Sequence, residues 1–197
     1  MPKLIIFLNH RFFVWAILSA PMLVLAVAYA RGQMFYGEVL HVSGELSARL
    51  LILALAITPL RMIFARARWP IWLQQRRRWF GVASFAYAIL HTVLYLERKA
   101  EWSAILADGL LFEMWTGWLA LGIFLLLALS SNDFSVRLMK RSWKKLHRFV
   151  YAATALVFLH WVYTAFDFVS ALVHLLILLG LESYRLVRSR VPASANK

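Results

Sequence analysis

The sequence predicts an all-α membrane protein, a six-helix transmembrane bundle with both termini cytoplasmic. Three observations lead there. Of the 197 residues 62% are hydrophobic, and the mean hydropathy is +0.69, more apolar surface than a soluble domain of this size can hide. The apolar residues gather into six runs, each near the roughly 20 residues that cross a bilayer as helix. The charges sort between those runs. On this six-span map 18 of the 22 Lys and Arg fall on one side, at the N-terminus, in 61–78, in 131–148 and in the tail, while seven of the nine acids fall on the other. By the positive-inside rule the basic side is cytoplasmic, and miscounting one span would scramble the split.

The first apolar run, 12–29, is longer than the core of a signal peptide, and Arg31-Gly32-Gln33-Met34 is a poor cleavage site, so a retained anchor is expected. A polar connection, 32–44, carries Glu38 and His41. The second span is expected over 46–64, with Pro59 near its end. The basic loop 61–78 holds an interfacial Trp69-Pro70-Ile71-Trp72 anchor. The third span, 79–96, carries His91 and opens onto an acidic loop with Glu97, Glu101, Asp108 and Glu113. The fourth span, 114–130, leads to a second basic loop. There Trp143-Lys144-Lys145-Leu146-His147-Arg148-Phe149-Val150-Tyr151 runs without a break into the fifth span, 149–166, which carries His160. A turn holding Asp167 precedes the sixth span, 168–187, and the basic tail ending at Lys197. The whole chain, 1–197, is expected to form a single transmembrane domain.

With no cysteine in the chain, thiolate metal sites, disulfides and Cys-based catalysis are excluded, and a cofactor falls to histidine. An ionisable side chain inside a span marks a functional site by default, since hydrocarbon offers imidazole no partner. On the map above, His91 and His160 lie roughly 7 to 9 Å below the outer surface of parallel helices, at 1.5 Å per residue. Two imidazoles at matched depth can ligate one iron from opposite faces of a porphyrin. The plainer alternative is that both form cross-helix hydrogen bonds. Ala83, Ser84, Ala86 and Ala88 on one helix, with Ala152, Ala153 and Ala155 on the other, leave room for a planar group.

His147 sits in the basic collar at the cytoplasmic mouth. Thirteen residues leave it about 140° round the helix from His160, so either the helix is distorted or His147 precedes it. It is open to reading as an interfacial histidine, a lone ligand of a second haem, or a contact for a flavin or quinol headgroup. His174 could compete with His160, and His41 and His10 stand where water reaches. Arg49 pairs with Glu45 at i,i+4 or, equally, meets a haem propionate. The net charge of +13 lies in short collars between spans, which points to the membrane face and not to nucleic acid. No Walker A, GxGxxG or GxSxG element is present, so electrons would arrive from another molecule.

In order and spacing, several motifs resemble the ferric-reductase-like transmembrane family. They are His41-Val42-Ser43-Gly44, Leu55-Ala56-Ile57-Thr58-Pro59-Leu60-Arg61, Arg77-Arg78-Trp79-Phe80-Gly81, Leu90-His91, Leu127-Ala128-Leu129-Ser130-Ser131, the 143–151 stretch and His160. Within the family they are most similar to the haem-binding membrane subunits of methionine-sulfoxide reductase systems. The resemblance implies a six-helix bundle of the bacterial inner membrane. It implies b-type haem held by His91, His147 and His160, sometimes with FMN. Electrons would pass from a cytoplasmic flavin reductase or membrane quinol to a periplasmic molybdopterin enzyme that reduces oxidised methionine. The outward loop departs from the family pattern at Arg31-Gly32-Gln33-Met34-Phe35-Tyr36-Gly37, the stretch that bears on the exterior partner. A six-span transporter or assembly factor with protonatable histidines is the alternative expectation.

Overall fold

The computed structural model describes residues 10–99, 101–165 and 168–190. The expected turn at Asp167, the last residue of the 149–166 span, the first nine residues and the tail from 191 to Lys197 lie outside them. Ten helices are described: α1 Arg11–Ala30, α2 Tyr36–Ile63, α3 Trp69–Gln75, α4 Arg77–Lys99, α5 Trp102–Asp108, α6 Phe112–Leu129, α7 Asp133–Met139, α8 Arg141–His147, α9 Phe149–Thr164 and α10 Phe168–Arg190. Five of these, α1, α2, α4, α6 and α10, are long and apolar enough to cross a membrane. The helix expected as the fifth span, α9, has 16 residues, about 24 Å of rise.

The expected polar connection over 32–44 is a correction: its second half is helix. The Glu38 carboxylate accepts from the Phe35 backbone N–H at 2.9 Å, supplying a first-turn acid and a cap that the missing Ser, Thr, Asp or Asn at residue 35 concealed. As a result α2 starts ten residues before the expected 46 and runs for 28 residues, about 42 Å, well beyond a hydrocarbon layer of roughly 30 Å. The three long loops are corrected too, since each contains short helix: α3, α5, and α7 with α8.

The core is organised around α2. Its Ala48, Ile52 and Leu55 pack on Phe158 and Trp161 of α9 and on Ala171 and Leu178 of α10. Ala54 and Ile57 meet Val14 and Leu18 of α1 and Phe80 and Ala83 of α4. Leu51 meets Phe124 of α6 and Ala153 of α9. Serines clasp α2 to α4, where no water can satisfy them: Ser47 Oγ donates to Ser84 O at 2.9 Å and Ser84 Oγ to Ser47 O at 2.8 Å. Tyr87 ties α4 to α1. Its hydroxyl accepts from Met22 N at 3.0 Å and donates to Leu18 O at 2.8 Å, entering the backbone ladder beside Pro21, which has no N–H to give.

Candidate functional site

Two antiparallel helix pairs frame the site. Along α2 and α4, Gly44 lies opposite His91 and Ser47 opposite Ser84. Along α6 and α9, Gly117 lies opposite His160 and Phe124 packs with Ala153. Each pair contributes one histidine from its second helix and one backbone carbonyl from its first. His91 Nδ1 donates to Leu40 O at 2.9 Å, and His160 Nδ1 donates to Glu113 O at 2.6 Å. A carbonyl oxygen only accepts, so in both imidazoles Nδ1 carries the hydrogen and Nε2 keeps its lone pair. A hydrogen bond from the nitrogen that does not meet the metal fixes the tautomer and ring orientation of a metal-ligating histidine.

The two ring centroids are 6.2 Å apart with their planes at 89°. An imidazole nitrogen lies about 1.1 Å from its ring centre and a metal–imidazole bond is about 2.0 Å, so two rings end-on to one ion have centroids about 6 Å apart. The expected depths differ in detail, because α4 continues eight residues past His91 and α9 four past His160, yet the rings meet. Around them is a cavity of about 440 Å³, in the range of small-molecule and cofactor pockets. Glycine and alanine open it, at Gly44, Ala48, Ala88, Gly117 and Ala120. Of the alanines expected to make room, Ala88 lines the cavity, whereas Ala83 and Ala153 are buried in the core.

The donor set fits haem better than a bare ion. Among the described residues no group of three or more His, Asp or Glu could hold a metal, and a structural or catalytic metal site takes at least three protein ligands. Two histidines suffice where a porphyrin fills the equatorial positions.

Arg49 lies outside the cavity lining and forms the i,i+4 pair with Glu45, Nη2 to Oε2 at 2.7 Å. Glu45 and His41 do line the cavity, with His41 Nε2 3.4 Å from Glu45 Oε1. His174 does not: it donates Nδ1 to Ser170 O on its own helix at 2.7 Å and rests 5.3 Å from the Trp161 ring.

His147 belongs to a separate cavity of about 260 Å³, lined among others by Arg77, Arg78, Trp143, Ser131 and Tyr151. It is the last residue of α8 and so precedes α9. Trp143 stacks on its ring at 3.9 Å. Ser130 Oγ lies 3.0 Å from His147 Nε2 and also reaches Leu126 O at 2.7 Å and Leu127 O at 3.1 Å. Burial first, and then the Arg77 and Arg78 charges, hold the imidazole below its ordinary pKa. Phe124 lies on the wall of both cavities.

Gly44 and Gly117 were not legible as site residues. A signal exists, since each follows by four residues the carbonyl that a histidine reaches, but it needs the knowledge that α2 faces α4 and α6 faces α9.

Residues 43–159 match the family described as ferric reductase like transmembrane component. Curated relatives from Brucella ovis, Brucella canis and Brucella suis, each named protein-methionine-sulfoxide reductase heme-binding subunit MsrQ, are 36% identical over 118 residues, which is 58% of this chain and 51% of the relative. The chain thus spans about half the length of the curated relatives it matches. No solved structure matches.

Proposed function

The chain belongs to the ferric reductase like transmembrane family, and from that premise we propose that it is a haem-b electron-transfer subunit of the bacterial inner membrane. The supporting observation is the pair His91 and His160, each with Nδ1 spent on a carbonyl and Nε2 kept free, 6.2 Å apart at a cavity. A haem bound there supplies a reversible one-electron iron couple. The chain's own part is to present two neutral nitrogens, to hold the rings through Leu40 and Glu113, and to keep water out with apolar walls. In this reading α9 completes six spans, both termini are cytoplasmic, and 1–197 is one transmembrane domain.

The second cavity is the entry side. Arg77, Arg78 and His147 surround it, a positive field that favours anionic groups such as flavin phosphate or haem propionates. His147 serves there as a lone ligand of a second haem or as a contact for FMN or a quinol headgroup. The donor is a cytoplasmic flavin reductase or membrane quinol. The acceptor is a periplasmic molybdopterin methionine-sulfoxide reductase, a reading supported by the relatives' name. Arg49, paired with Glu45 and outside the cavity lining, would have to leave that partner to meet a bound propionate.

The protein purified from haem-replete cells is expected to show a b-type Soret band that shifts on dithionite reduction. A folded, colourless preparation would overturn the proposal. Oxidation of the reduced haem only when the periplasmic enzyme and a sulfoxide substrate are both present is the outcome expected for the acceptor; oxidation by the sulfoxide alone would exclude it.

A further inference from the structure

Both histidines reach their carbonyls through a gap left by a glycine. A Cβ built on Gly44 would stand 3.0 Å from His91 Nδ1 and 3.1 Å from its Cε1. One built on Gly117 would stand 2.9 Å from both Cε1 and Nδ1 of His160. At Gly117 the ring would have to shift, and at Gly44 it would have to give by a few tenths of an ångström. The carbonyls lie at the same offset, Leu40 four residues before Gly44 and Glu113 four residues before Gly117. In an α-helix the N–H of residue i bonds to the carbonyl of residue i−4, so each glycine's own N–H addresses the oxygen that the histidine also reaches. The imidazole joins that oxygen beside a hydroxyl from the residue preceding each glycine, Ser43 Oγ to Leu40 O and Thr116 Oγ1 to Glu113 O, both at 2.8 Å. A side chain at the glycine would crowd the imidazole's approach to it.

We propose that Gly44 and Gly117 are positioning residues, each a notch that docks one histidine on the neighbouring helix, fixes Nδ1 as the protonated nitrogen, and together hold the two imidazole planes at right angles. The consequence for haem rests on the reading above; the docking itself does not. The glycines act through the histidines and touch no reacting atom. Two helix pairs with the same offset, bond and gap make one device used twice. Ordinary helical glycines in this chain differ, since a Cβ on Gly122 or Gly180 would meet nothing within 4 Å.

The test compares the full chain with Gly44→Ala and Gly117→Ala, with Gly122→Ala and Gly180→Ala as controls. Alanine favours helix over glycine, so loss of the site is not attributable to a weaker helix. In haem-free protein, ¹⁵N spectra of labelled histidine are expected to show three imidazoles with bare Nε2 and protonated Nδ1, those of His91, His160 and His174. One such signal disappears in each notch variant and none in the controls. In haem-loaded ferric protein, perpendicular ring planes give a strongly anisotropic low-spin resonance. That resonance is expected to turn rhombic or high-spin in the notch variants alone.

Folded Gly44→Ala and Gly117→Ala proteins that keep both the tautomer signals and the anisotropic resonance would overturn the proposal. If the wild type binds no haem while the tautomer signals still depend on the glycines, the notch stands and the haem reading falls. Should Gly117→Ala not fold, it is placed in a His160→Ala background. There the docking account predicts wild-type folding, because the ring that the new methyl strikes is gone, and failure in that background would equally overturn it.

Discussion

Asp108 holds the short helix α5 to the rim of the larger cavity. Its carboxylate accepts from the Tyr95 hydroxyl at 2.8 Å and from Lys99 Nζ at 2.6 Å, and Tyr95 itself lines the cavity. The Lys99 bond, followed by that from Tyr95, holds the Asp108 carboxyl below its ordinary pKa. A depressed folded-state value means that the staple stabilises the fold above the ordinary carboxylate range of about 4 and is lost as pH falls through the lower value. A spin label at Ser103→Cys on α5 is therefore expected to be restrained at neutral pH and to gain mobility on acidification. With Asp108→Asn added it should be mobile at both; equal restraint in the two proteins at neutral pH would contradict the staple. At this scale the sequence was legible where chemistry is costly. His91 and His160 stand out because imidazole in hydrocarbon demands a partner, whereas a notch glycine carries no functional group to notice, and its meaning lies in the helix opposite.

Element boundaries depended on caps more than on hydropathy. The long helices after α2 were readable to within a few residues because apolar runs and basic collars bracket them. The start of α2 was not, since its cap is Glu38 reaching back to Phe35 and the first turns are amphipathic. The link between α1 and α4 was also hidden. Tyr87 is 2% exposed and repairs the ladder at Leu18 and Met22 beside Pro21. Tyr87→Phe keeps the ring and removes the hydroxyl's bonds to Met22 N–H and Leu18 O, each a net loss of about 0.5 to 1.5 kcal/mol. Reversible unfolding in detergent should register a loss in that range, with haem content unchanged. A loss below roughly 0.5 kcal/mol, the low end for a net hydrogen bond, would mean that water already serves those groups.

For the whole molecule, the expected charge split rests on the positive-inside rule and on six crossings, and the number of crossings turns on the 16-residue α9. The natural absence of cysteine makes single thiols clean reporters. In intact cells an impermeant maleimide is expected to label Ser103→Cys and Thr164→Cys and to spare Arg137→Cys. Labelling Arg137→Cys and Thr164→Cys from the same side would remove the sixth span. The central claim is narrower than the topology: one iron lies between His91 and His160. Its most direct measurement is the ferric absorption and low-temperature resonance spectrum of the purified protein beside His91→Ala, His160→Ala and His174→Ala. The account predicts a low-spin bis-imidazole centre in the wild type and in His174→Ala, and in each of the other two variants a high-spin iron or an emptied site. A low-spin centre that survives both His91→Ala and His160→Ala, or one that His174→Ala destroys, would contradict it.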